Sequence, residues 1–297
     1  MKNLKDILGP MRPPFLVLAP ACALVGLGTA LWTKGSVNWL HVLLVFIGAV
    51  AAHISVNAFN EYFDFKTGLD SRTQRTPFSG GSGTLQAKPG MARSAFLTAS
   101  IAFAITGLIG LYFVWVWGWE LIPLGVAGLF LLYGYTVWLA YNPVLCLLAP
   151  GLGFGTLLVV GTHFALTGEY SWIAFVASLV PFFLVNDLLL LNQFPDVEAD
   201  KSVGRRHYPI IAGRKVSGFI YITFLLGAYL AILLGVAFGL LPKFALLGLL
   251  TLVLAVPVIR SVLRYADDIP HLIPALGQNV LINLLTPALV AIGLFIK

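Results

Sequence analysis

A chain of 297 residues that is 59% hydrophobic and only 10% charged, with a mean hydropathy of +0.93, is too apolar for a soluble globular protein and fits a polytopic membrane protein. Each crossing of a bilayer takes roughly 20 apolar residues whose backbone hydrogen bonds close internally, so a single helical bundle can use the whole chain. The formal net charge of +6 comes from 18 basic and 12 acidic residues, and its meaning depends on where they fall.

In chain order, the opening MKNLKDILGPMRPP spaces Leu4, Ile7, Leu8 and Met11 on one helical face, which predicts an interfacial segment over residues 1–13. Windows of membrane length then give nine spans, at about 14–33, 39–60, 94–115, 121–141, 144–166, 171–193, 217–240, 243–263 and 273–296. The expected fold is an all-α transmembrane bundle in one domain, with polar loops at 61–93 and 194–216. Cys22 and Cys146 lie inside spans and read as packing residues, not as a disulfide or a metal site.

Nine spans place Lys2, Lys5, Arg12 and the basic residues of the even-numbered loops on one side, fifteen of the eighteen, leaving Lys34, Lys243 and Lys297 opposite. That asymmetry predicts a cytoplasmic N-terminus in a prokaryotic cell membrane, and it makes the basic excess a matter of topology, with no nucleic-acid partner. Six of the seven tryptophans (Trp32, Trp39, Trp115, Trp117, Trp119 and Trp172) fall near the other ends of the spans, as an interfacial belt would.

The polar residues then concentrate in two places. If the second span stays helical past Asn57, then Asn57, Asn60, Glu61 and Asp64 share a face, Gly68 ends the helix, and Asp70 folds back from the loop. After the sixth span, NQFPDVEAD sets Asn192, Asp196 and Asp200 at i, i+4 and i+8, repeating the Asn-x-x-x-Asp spacing 132 residues later. Four spans lie between the motifs, so both emerge on one side, and the chain reads as a parallel duplication of a four-helix unit.

Two facing groups of carboxylates repel unless a cation lies between them, and hard oxygen ligands without Cys or His point to Mg²⁺. Mg²⁺ usually takes one or two carboxylates and completes its shell with water and phosphate, so the expected substrate carries a diphosphate. Lys66, Arg72 and Arg75 follow the first motif, and Lys201, Arg205 and Arg206 the second, as such an anion would need. If diphosphate leaves an allylic carbon, two Mg²⁺ ions stabilise the departing charge and aromatic faces the carbocation; Phe59, Tyr62, Phe63, Tyr133, Tyr135, Phe154, Phe182 and Phe183 are available for that. The rival class is a secondary transporter, whose carboxylates belong near the bilayer midplane and not at its edge.

NEYFDFKTGLD and NQFPDVEADKSVGRR, with the span count, make the sequence similar to the UbiA superfamily of intramembrane aromatic prenyltransferases. The step from Asp64 to Asp70, TPFSGGSGTLQ and NVLINLLTPALVAIGL resemble the menaquinone branch, which prenylates 1,4-dihydroxy-2-naphthoate with loss of CO₂. The other acceptors in view are 4-hydroxybenzoate, homogentisate, glyceryl phosphate and a tetrapyrrole. The resemblance implies that Asn60, Asp64, Asp70, Asn192, Asp196 and Asp200 bind diphosphate through Mg²⁺, with Asp64 and Asp196 central to catalysis. It also implies Lys66, Arg72, Lys201 and Arg206 as diphosphate contacts, and a prenyl diphosphate, an aromatic acceptor and the lipid bilayer as partners.

Glu61 stands where the family has Asp, and YTVWLAYNPVLCLLAPGLGF has Phe154 in place of the family's Glu and lacks its usual Lys. Asp187, inside the sixth span, is either an acceptor of a phenolic proton or a neutral group bridging helices. His53, His163 and Asn279 carry a similar pair of readings, and Asn57, Glu61, Tyr135, His163 and Asn279 are the candidates for an acceptor or prenyl pocket. SGGSGTLQAKPG reads either as a lid over phosphate or as a linker.

Overall fold

The computed structural model describes residues 4–296; Lys2 and Lys297 of the charge count lie outside the described residues. The described chain is helical with no strand: α1 Leu4–Leu8, α2 Leu18–Lys34, α3 Trp39–Thr67, α4 Thr84–Ala87, α5 Ala92–Trp117, α6 Ile122–Val137, α7 Pro143–Gly151, α8 Leu158–Thr167, α9 Trp172–Asn192, α10 Val197–Ser202, α11 Tyr208–Ile211, α12 Gly213–Ala237, α13 Leu252–Tyr265 and α14 Ile269–Phe295.

Among the described residues eight helical stretches are long and apolar enough to cross a bilayer by themselves. The first expected span supplies the ninth only in part: α2 has 17 residues and reaches span length together with Asp6–Phe15, from which it bends by 48°. The bend follows from Pro10, Pro13 and Pro14, which support tight 3-10 turns and cannot continue a regular helix.

Two apolar clusters set the frame. One joins α9, α12 and α14 through Leu184, Leu191, Tyr221, Leu225, Leu276 and Ile282; the other joins α2, α3, α5 and α8 through Leu27, Val45, Phe113 and Phe164. In lipid, helix association depends on close packing, which small residues permit. Gly155 is such a place, because a Cβ there would collide with the backbone of Phe182 in α9. It belongs to a six-residue π-helical turn, Leu152–Leu157, that joins α7 to α8 inside one span and turns Gly153 and Phe154 toward the bundle interior.

Candidate active site

α3 is continuous through the first motif and ends where glycine allows it, at Gly68 with φ 73°. α9 stops at Asn192, Pro195 interrupts the path, and α10 begins after Asp196. Both motifs therefore lie at the same end of the bundle. A cavity of about 620 Å³ opens there and is lined by Asn57, Asn60, Asp64, Asp70, Asn192, Asp196 and Asp200. It continues along the bundle to Phe113, Leu121 and Gly161 near the opposite end, so it has a polar mouth and a long apolar interior.

Cations already sit among these acids. Arg205 bridges the motifs, with Nη2 paired to Asp64 and Nη1 3.0 Å from Asp200 Oδ1, while His207 Nε2 is 2.9 Å from Asp200 Oδ2. Arg12, in the left-handed conformation at φ 51°, donates from Nε to Glu61 Oε1 at 2.8 Å and from Nη2 to Asn60 Oδ1 at 3.1 Å. Asn57 Nδ2 donates to the Met11 carbonyl at 3.0 Å, so the N-terminal segment is tied across α3. Glu61 also accepts from Ser82 N and from Ser82 Oγ, which fixes the glycine-rich loop over the mouth. Its longer reach than Asp spans Arg12 and that loop together. Gly81, at φ 69°, lets the loop backbone approach, since a Cβ there would lie 3.1 Å from Asp70 Oδ1.

Three buried oxygens at the mouth have no hydrogen-bond partner among the described residues: Asp70 Oδ2, Asn192 Oδ1 and Asp196 Oδ1. Such groups are costly unless something binds them. They are hard donors of the kind Mg²⁺ takes, so the residues present fit that ion. No three acidic, His or Cys side chains among the described residues form a ready-made metal cage, which agrees with an ion whose shell is completed by phosphate and water.

Asp70 is pushed up to about 7 by burial and then by the charges of Asp64 and Glu61, and Asp196 to about 7 by burial and then by Asp200. Between about pH 4 and pH 7 the folded chain thus holds protons on these groups that the unfolded chain has released, so stability falls as pH rises through that window. A cation on the same oxygens offsets the loss. Melting in detergent with EDTA is expected to drop from about pH 5.5 to about pH 8, with Mg²⁺ raising the melting temperature more at the higher pH. An equal effect of Mg²⁺ at both pH values would exclude the two carboxyls as ligands.

The profile of the UbiA prenyltransferase family matches residues 19–271. The chain belongs to this family. The 1,4-dihydroxy-2-naphthoate octaprenyltransferase of Bacillus subtilis is 30% identical over 208 residues, which are 69% of this chain and 65% of that protein, so the match spans just under two thirds of that relative. The 2-carboxy-1,4-naphthoquinone phytyltransferase of Synechocystis is 24% identical over 88% of this chain and 83% of its own length. A UbiA homolog from Archaeoglobus fulgidus, solved bound to DMAPP and Mg²⁺, has the same fold, with a TM-score of 0.63 at 14% identity over 98% of this chain and 100% of that one.

In this UbiA-family chain the residues named from sequence divide by position. The six motif residues Asn60, Asp64, Asp70, Asn192, Asp196 and Asp200 line one cavity, with Asn57 and Tyr135. Lys66, Arg72, Lys201 and Arg206 are exposed and do not line it. Lys66 lies over the Tyr62 ring, and Arg72 Nη1 donates to the Ser202 carbonyl and hydroxyl at 3.2 and 3.1 Å, tying the two motif loops.

Glu61, Asp187, His163 and Asn279 are buried outside the lining. His163 Nδ1 is 3.0 Å from Thr29 Oγ1, Asn279 Oδ1 accepts from Tyr221 at 3.0 Å, and Asp187 has no partner on either oxygen among the described residues. Of the eight aromatic side chains named for a carbocation, Tyr135 and Phe154 face the cavity, while Phe59, Phe63 and Tyr133 pack on one another. Neither residue type nor spacing marks Arg12 for the site, and Arg205 stands in the sequence as one of several basic residues after the second motif.

Proposed function

We propose that this protein catalyses Mg²⁺-dependent transfer of a prenyl group from a prenyl diphosphate to an aromatic acceptor, with 1,4-dihydroxy-2-naphthoate the leading acceptor. The observation that carries the reading is the meeting of two acidic motifs and two arginines at the mouth of an apolar cavity. The naphthoate-specific names of the two bacterial and cyanobacterial relatives support the acceptor.

Asn60, Asp64, Asp70, Asn192, Asp196 and Asp200 would hold Mg²⁺, two ions in the fullest form of this reading. The bound metal supplies positive charge for the departing diphosphate. Arg12 and Arg205, which reach into the cavity, would contact the diphosphate directly, while Lys66, Arg72, Lys201 and Arg206 outside it would draw the anion in over a longer range. The apolar interior would take the prenyl tail and keep water from the allylic cation, with Tyr135 and Phe154 offering ring faces. The charge asymmetry favours a cytoplasmic mouth.

Purified protein with Mg²⁺, geranyl diphosphate and a panel of the acceptors above should release diphosphate and form a prenylated product of the matching mass, fastest with the naphthoate. Diphosphate release without any prenylated product would count against transfer, and transport of the intact donor across vesicles would favour the rival class.

A further inference from the structure

Asp64, Asn60, Asn57 and His53 lie at successive steps of four, three and four residues along α3, and all four line the cavity. The face that carries the first motif therefore continues inward to an imidazole about 16 Å from Asp64 along the helix axis. In the transferase reading, diphosphate, reacting carbon and aromatic acceptor would share that interval. His53 is 5% exposed, and Nδ1 has no hydrogen-bond partner among the described residues. No side chain there hydrogen-bonds the ring; its neighbours are the Leu16 backbone and the ring of Phe154, whose centroid is 4.7 Å away at 68°. The other cavity histidine, His207, is committed to Asp200.

Phe154 is the residue that stands where the family's segment carries Glu. In this chain its phenyl ring leans on the His53 imidazole. An imidazole whose Nδ1 has no hydrogen-bond partner among the described residues, placed on the face that leads to the diphosphate motif, is suited to accept a proton.

We propose that His53 is the general base of the transfer, taking the hydroxyl proton of the aromatic acceptor; this rests on the transferase reading above. The allylic C–O bond breaks with its electron pair leaving on diphosphate, and the acceptor ring supplies the pair for the new C–C bond. The acceptor's hydroxyl proton passes to the unpartnered Nδ1 of His53, leaving a ring ketone. For an acceptor with a carboxylate on the attacked carbon, loss of CO₂ returns an electron pair to the ring, and the proton goes back from His53 to the oxygen. The imidazole ends neutral.

The test compares wild type with His53→Ala, His53→Gln and His53→Phe, using Mg²⁺, geranyl diphosphate and 1,4-dihydroxy-2-naphthoate. In all three variants kcat is expected to fall about 10²-fold or more while KM for geranyl diphosphate stays within about twofold. Added imidazole should restore His53→Ala and not His53→Phe, which a purely structural role would not produce. Wild-type turnover by His53→Phe overturns the proposal. So does a loss in His53→Ala that imidazole does not relieve and that a matching rise in donor KM explains. If the wild type prenylates no acceptor, the transferase reading fails and this one with it; if the wild type is active and the variants equal it, only the role of His53 fails.

Discussion

Asp196→Asn is expected to lower prenyl transfer by about 10²- to 10³-fold while leaving the protein at least as stable as the wild type at pH 8 without metal. The two effects have one origin. Asp196 lines the cavity mouth with an unpartnered Oδ1, and burial pushes its carboxyl up to about 7. Ionised, it is a strong ligand and a costly buried charge; the amide keeps the shape and loses both properties. Turnover at saturating Mg²⁺ and melting in EDTA measure the two sides. A variant that melts well below wild type would mean that the carboxylate is already compensated by something within the fold. A variant with undiminished turnover would remove the second motif from the metal site.

Arg205→Ala is expected to cost about 3–5 kcal/mol of stability, the range for removing one half of a buried ion pair. Its side chain is 15% exposed, and those of Asp64 and Asp200 are 8% and 5%, so two buried carboxylates lose a shared counter-charge. Arg205→Lys keeps the charge without the fork that spans both acids, and it should recover only part of the loss. Since a divalent cation can take up the released carboxylates, Mg²⁺ should raise the melting temperature more in Arg205→Ala than in wild type. An equal or smaller rise would separate these carboxylates from the metal. Turnover should fall in both variants if the guanidinium also contacts the donor.

The course of the helices was legible because membrane spans depend on little beyond length and apolar content. The end of α3 at Gly68, and the face shared by Asn57, Asn60 and Asp64, followed from helical spacing and the one residue that tolerates a positive φ there. The basic residues were not separable in this way. Lys66, Arg72, Lys201 and Arg206 satisfy the same charge asymmetry as Arg205, and the difference is burial, which Gly204 at φ 82° and the short turn after α10 decide. Arg12 is 49 residues from Glu61, and only the proline-bounded bend that returns the segment across α3 brings them together. His53, already a candidate from the sequence, lies one further turn along the face of Asn57, Asn60 and Asp64. The π-helical turn at Leu152–Leu157 has no comparable signature in residue type.

The cavity wall between α5 and α6 includes Leu111, Ile122 and Val126, which are 63%, 45% and 61% exposed. Apolar side chains that line the cavity and are also exposed offer an oily reactant an apolar path into it. What governs encounter in such an arrangement is mole fraction within the lipid or micelle, not molarity in the tube. Adding detergent at constant total donor should consequently slow the reaction by surface dilution, and adding buffer should not.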